Sequence, residues 1–147
     1  MIIIKNGDLL KCNEDIIVHQ VNIDAIWGAG VAKQIANKYP MAEREYIKIC
    51  QEYKNNYENL KGKVDLTFEN GKYIASMFSQ DKNFNTDYEH MKQAIELVKG
   101  FAKQENLSVA LPYGIGCGIA NGDFNKVLEV IEEVFSDYCV SLYKLED

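Results

Sequence analysis

Residues 107–123 read LSVALPYGIGCGIANGD, and this stretch decides the fold. An apolar run with strand character (Leu107, Val109, Ala110, Leu111) meets Pro112, and glycines follow at 114, 116, 118 and 122. Asp123 then stands ahead of Phe124, Val127, Leu128, Val130 and Ile131, a helix-start residue before a helical apolar stripe. Strand, glycine loop, helix is how an α/β protein makes a phosphate site. Glycines let backbone N–H groups approach an anion, and the helix start adds the positive end of its dipole. A tight strand-to-helix turn without a ligand has the same local signature. A second loop, Gly28-Ala29-Gly30, also sits between a strand-like run and a helical one, and the pair is more specific than either loop.

The 147 residues suffice for one domain that buries about two thirds of its unfolded surface. No apolar run approaches the ~20 residues of a membrane span. The opening MIIIKNGD is too short and wrongly flanked for a signal peptide, so a cytoplasmic protein with no membrane partner is expected. A net charge of −6 argues against a basic nucleic-acid-binding face. An anionic small molecule held by backbone amides remains open, because amides add nothing to net charge. Cys12, Cys50, Cys117 and Cys139 form no metal-ligand spacing, so neither metal nor cofactor is expected. Cys50 and Cys139 read as core. Cys117, inside the glycine loop, reads as a small residue between glycines; a nucleophilic thiolate needs a nearby base that the sequence does not identify.

Strands are expected at residues 2–5, 15–22, 63–69, 72–78, 107–111 and 139–145, with Asn70-Gly71 as a hairpin turn. Val31, Ile35 and Tyr39 mark a helix stopped by Pro40, and residues 41–54 a second. Thr86-Asp87-Tyr88-Glu89 is a capping-box pattern opening a long helix, and the last helix runs from Asp123 to near Tyr138. Strands alternating with helices imply an α/β fold, a three-layer α/β/α arrangement around a central mixed sheet with a crevice beyond the strand ends.

The residues quoted resemble the macrodomain family, which binds ADP-ribose. Asn6-Gly7-Asp8-Leu9, Val18-His19-Gln20-Val21-Asn22 with the first loop, and Leu111 to Gly118 are similar to the family's motifs in order and spacing, so the resemblance covers residues 1–147 as a single macrodomain. Within the family the chain looks closest to the branch containing terminal ADP-ribose protein glycohydrolase. The resemblance implies that Asp8 accepts the adenine amino group and Leu9 packs on the base. It implies that Gly28, Ala29, Gly30 and Val31 line one side of the pyrophosphate and distal ribose, and Gly114, Ile115, Gly116, Cys117, Gly118 and Ile119 the other. Tyr143 and Leu145 would flank the adenosine. Read without the resemblance, Asp8 is an Asx-turn residue and Tyr143 and Leu145 are core.

The branch's catalytic lysine and aspartate are replaced, in a gap-free alignment, by Ser79 and Ala120, which cannot supply an amine or a carboxylate. Asn22 and Gln80 suit ribose hydroxyls, Ser79 lies beside them, and Asp123 is a candidate general base that also suits a helix N-cap. Asn22, Gln80 and Asp123 are thus the catalytic candidates. The expected activity is binding of ADP-ribose, free or on a modified macromolecule, with hydrolysis of an ADP-ribose conjugate or dephosphorylation of ADP-ribose 1''-phosphate by positioned water. A catalytically silent binding module is the alternative. A monomer is expected.

Overall fold

The computed structural model describes residues 1–26, 30–117 and 120–145. Among these, six strands and four α-helices follow the expected alternation: β1 (Ile2–Asn6), β2 (Ile16–Val21), α1 (Gly30–Lys38), α2 (Pro40–Glu52), β3 (Val64–Glu69), β4 (Lys72–Phe78), α3 (Tyr88–Glu105), β5 (Val109–Pro112), α4 (Phe124–Val134) and β6 (Val140–Lys144). The strands form one sheet in the order β1-β6-β5-β2-β4-β3. Every pairing is parallel except β3 with β4, the Asn70-Gly71 hairpin, whose two turn residues take the positive φ (50° and 79°) of a type I′ turn.

Strand alternation assigns the two faces. Ile16, Val18, Ala75, Met77, Val109 and Leu111 pack with Met91, Ile95 and Val98 of α3 and Val127 and Ile131 of α4. The intervening Ile17, Val21, Ile74, Phe78 and Ala110 pack with Ile35 of α1 and Ala42, Tyr46 and Cys50 of α2. A period of two in the strands therefore yields the three layers. β2, apolar on both faces, lies between β5 and β4 as a central strand must. Among the described residues no helix is long and apolar enough to cross a membrane.

Three local expectations are corrected. The capping box does not form. Asp87, not Thr86, caps α3, accepting the His90 N–H at 3.1 Å, because Thr86 is drawn into tertiary bonds described below. The last helix ends at Val134 rather than near Tyr138. Asp137 pairs with Lys99 and Lys103 of α3, and the Tyr138 hydroxyl donates to the Leu107 carbonyl at 2.5 Å, so residues 136–138 turn back onto α3. Cys139 is exposed, not core; the alternation of β6 begins one residue later, with Val140 inward.

The two ends of the chain are joined. β1 lies beside β6, with Ile2 opposite Val140, and the Gly7 N–H donates to the Lys144 carbonyl at 2.9 Å. Glu14, 6% exposed, accepts from Lys5 Nζ at 2.6 Å and from the Tyr143 hydroxyl at 2.5 Å. Burial opposes its ionisation, but the bonds from Lys5, Tyr143 and Ser141 together outweigh burial and hold the carboxyl at about 2, below its usual 4.5. A depressed carboxyl favours the fold above the unfolded value and loses that contribution, at most about 3 kcal/mol, as pH falls from 4.5 towards 2. Glu14→Gln is expected to lower the unfolding free energy by about 1–3 kcal/mol at pH 7 and by far less at pH 3, read by urea unfolding at both values. An equal loss at the two would detach the effect from the carboxylate's charge.

Candidate functional site

Two hollows at the carboxyl ends of the parallel strands make one cleft. The larger, about 350 Å³, is lined by His19 and Gln20 of β2, Gly30, Val31 and Ala32 of α1, Gln80 after β4, and Pro112, Tyr113, Gly114, Ile115, Gly116 and Ala120. The smaller, about 260 Å³, is lined by Gly7, Asp8, Leu9 and Leu10 after β1, Val31 and Gln34 of α1, Pro112, Tyr113, and Tyr143, Lys144 and Leu145 at the end of β6. Val31, Pro112 and Tyr113 belong to both, so the hollows are continuous. Strand order turns outward here, the usual place for a ligand in an open α/β sheet. A third hollow of about 580 Å³ lies at the opposite pole. Its carboxylates are occupied: Asp15 accepts from Ser108, and Asp137 from Lys103.

The loop after β5 is two β-turns sharing Gly114. The Ile115 N–H donates to Pro112 O (3.1 Å) and the Cys117 N–H to Gly114 O (3.0 Å). Gly114 and Gly116, at φ 79° and 76°, occupy the third position of each turn, where positive φ is the mark of type II. The peptide before that position stands across the turn, and its N–H takes no part in the turn bond. Among the described residues neither the Gly114 nor the Gly116 N–H has a protein acceptor. Both glycines line the larger hollow, so their unpaired N–H groups are available to an anion there.

The Gly116 carbonyl, by contrast, is held twice. It accepts from the Gly122 N–H at 2.8 Å and from the Thr86 hydroxyl at 2.6 Å. Thr86 in turn accepts from Gln20 Nε2 at 3.1 Å, and Gln20 Oε1 accepts from the Ser79 hydroxyl at 2.7 Å. Packing is close enough to forbid side chains. A Cβ at Gly122 would lie 2.3 Å from the Gly116 carbonyl oxygen, and one at Gly116 would lie 2.9 Å from both Thr86 Oγ1 and Met91 Cε.

The expected site residues fall into three groups. Asp8, Leu9, Gly30, Val31, Gly114, Ile115, Gly116, Gln80, Tyr143 and Leu145 line the cleft. Asp8 also caps a short turn through Oδ1, which accepts from the Leu10 N–H at 3.0 Å, leaving one carboxylate oxygen for a ligand. A second group stands behind or outside the wall. Ser79 is fully buried on Gln20. The Asn22 side chain accepts from the Asp24 and Ile26 N–H groups and from the Tyr46 hydroxyl, and donates to Ile26 O, shaping its own loop. Asp123 caps α4 by accepting from the Asn125 N–H at 2.9 Å, while its own N–H donates to the Tyr88 hydroxyl. The Cys117 thiol donates to Ile115 O, and burial, with the nearby Asp123 charge, pushes its pKa up, away from a thiolate. Gly28, Ala29, Gly118 and Ile119 lie outside the described residues.

Sequence reasoning missed His19, Gln20, Tyr113 and Lys144 in the wall and Thr86 behind it. His19 is almost wholly buried, bonded at Nε2 to Ser76 Oγ (2.9 Å), and burial pushes it down to about 3, so it is neutral at physiological pH. The one available signal was polarity: His19-Gln20 interrupts the apolar run of β2. Lys144, in the lining of the smaller hollow, has its Nζ 4.9 Å from the ring centre of Tyr113, a residue shared by both hollows.

Comparisons with known proteins agree with this geometry. A Saccharomyces cerevisiae protein named ADP-ribose 1''-phosphate phosphatase is 26% identical, over 95% of this chain and 96% of its own. A Bos taurus protein named ADP-ribose glycohydrolase OARD1 is also 26% identical, over 95% of this chain and 88% of its own. The solved macrodomain of Mycobacterium tuberculosis DarG superposes with a TM-score of 0.82 at 23% identity, over 97% of each chain. The Macro domain family model matches residues 18–131. The chain therefore belongs to the Macro domain family.

Proposed function

We propose that this macrodomain binds ADP-ribose along the cleft and hydrolyses an ADP-ribose conjugate, with ADP-ribose 1''-phosphate the substrate whose chemistry suits the site best. The observation that carries the reading is that Gly30 and Gly116 line one hollow while Asp8 lines the hollow continuous with it. In this reading a diphosphate lies between Gly30 and the Gly114–Gly116 turns, the purine beside Asp8, Leu9 and Tyr143, and the distal ribose towards Gln80. The names of the yeast and bovine relatives, one a phosphatase and one a glycohydrolase, support hydrolysis at the ribose end.

Chemistry at that end depends on positioning and charge stabilisation. Ser79 is buried and offers no amine, and Ala120 lines the hollow without a carboxylate. Backbone N–H groups of the second loop stabilise charge on a phosphoryl group as it is attacked by water, which needs no amine nucleophile. Gln80 is the catalytic candidate that lines the hollow, and we assign it to orienting the distal ribose and water. Asp123 and Asn22 support their own loops in this reading. The free cysteines Cys12 and Cys50, buried and unpaired, suit a reducing, cytosolic location, and the reading keeps the protein a monomer. One observation favours a silent binding module instead: the described lining of the larger hollow contains no carboxylate and no ammonium group.

Calorimetry with ADP-ribose is expected to show binding by the wild type and roughly 10- to 100-fold weaker binding by Asp8→Ala, the loss of one charge-assisted hydrogen bond. Equal affinities would remove Asp8 from the purine. Phosphate release from ADP-ribose 1''-phosphate should fall roughly tenfold or more in Gln80→Ala, since a misplaced reactant costs rate steeply. Asp123→Asn, which keeps the cap, should stay within about twofold of wild type. Loss of rate in Asp123→Asn would restore Asp123 as a base, and no release by wild type, nor from ADP-ribosylated protein or nucleic acid, would leave the binding module.

A further inference from the structure

The wall of the cleft is backed by a chain of hydrogen bonds that all run one way. Ser79, at the end of β4, donates to Gln20 Oε1; Gln20 Nε2 donates to Thr86 Oγ1; Thr86 donates to the Gly116 carbonyl. The direction is fixed by counting protons. A threonine hydroxyl has one, and because its oxygen already accepts from Gln20, that proton is available to Gly116. Bonds aligned in this way polarise one another. Thr86 itself is held in place by its backbone: its N–H donates to Ala120 O at 2.9 Å, and it forms an antiparallel bridge with Gln80. It therefore connects both ends of the second loop to the strand ends of β2 and β4 without lining the cleft.

We propose that Thr86 is a positioning residue: its hydroxyl, oriented by Gln20 and Ser79, anchors the Gly116 carbonyl behind the wall and so keeps the turns that carry the Gly114 and Gly116 amides in the shape that faces the ligand's phosphates. The geometry leaves little alternative for the loop. The Gly116 carbonyl shares its peptide with the Cys117 N–H, which closes the second turn on Gly114 O, so releasing it from Thr86 loosens the turn that presents the Gly116 amide. Gly122 alone then holds it, through a single N–H. The 2.9 Å approach of a Gly116 Cβ to Thr86 Oγ1 shows that hydroxyl and loop are in direct contact. The sequence disguises this role, because Thr86 also begins a capping-box pattern that the helix does not use.

The binding arm of the test rests on the ADP-ribose reading; a second arm does not. Thr86→Val and Thr86→Ala remove the hydroxyl, and Thr86→Ser restores it. ADP-ribose is titrated into each by calorimetry, and amide spectra of the ligand-free proteins follow Gly114, Gly116 and Gly122. Thr86→Val and Thr86→Ala are expected to bind at least tenfold more weakly with all three amide signals displaced, and Thr86→Ser to bind within about twofold of wild type with the signals near their original positions. Should Thr86→Val fail to fold, Thr86→Ala, which puts no new methyl against Gly116, carries the comparison. Undiminished binding by the folded variants overturns the proposal, and so does equal weakening in Thr86→Ser, which would make the effect one of general packing. If wild type itself ignores ADP-ribose, the functional reading fails, and the amide signals alone decide: unmoved in Thr86→Ala, they overturn the positioning role as well.

Discussion

The Gly116 carbonyl oxygen is the point on which the cleft depends. Two donors from different parts of the chain, the Thr86 hydroxyl and the Gly122 N–H, converge on it, and no side chain can be added at 116 or 122 without a collision. Through Thr86 it is tied to β2 and β4, and through Gly122 to the approach of α4. The sheet supplies rigidity and the helices supply burial, but this one acceptor ties the turn at Gly116 to both. The cost is entropic, since glycine loses most freedom on ordering, and bonds at both ends of the loop offset it.

The same economy explains how an acidic chain can offer a site suited to an anion. Net charge is −6, yet the rims of the larger hollow present backbone and amide groups, and the lone histidine there is neutral. Anion recognition by N–H groups is local, and the overall field matters little at van der Waals distance. The charges that do approach the cleft sit at the other end. Asp8 faces the smaller hollow, Lys144 lies over Tyr113, and buried Glu14 orients Tyr143 from behind. Polar selectivity at one end and dipolar grip at the other suit a ligand that is a base at one end and phosphorylated in the middle.

Much of the fold was legible because its signals are local or periodic. The Asn-Gly hairpin, the apolar central strand, the proline between the first two helices, and the Gly114–Gly116 turns all express backbone preference or a repeat of two or near four. The residues that escaped are those whose role is set by a distant partner. Thr86 satisfied a local helix-start pattern and was claimed by Gly116, thirty positions away. Asn22 had the chemistry of a ribose ligand but closes a turn with Ile26 and Tyr46. Cys139 opens an apolar stretch yet precedes the inward register of β6 by one residue. Side-chain chemistry names what a residue can do, and long-range geometry chooses among the options.

The parallel pairing of β1 with β6 has a consequence for the order of events during synthesis. β1 leaves the ribosome long before β6 and can find its neighbour only when residues near Val140 have been made, on the order of ten seconds later at usual translation speeds. Gly7 and Asp8 join Tyr143 in the smaller hollow only at that moment, so this end of the cleft is assembled last, after the larger hollow has a sheet to stand on. A nascent chain would thus complete the larger hollow before the smaller one, and the waiting β1, whose Ile3 and Ile4 stay exposed even in the folded protein, is the segment for which a chaperone would compete.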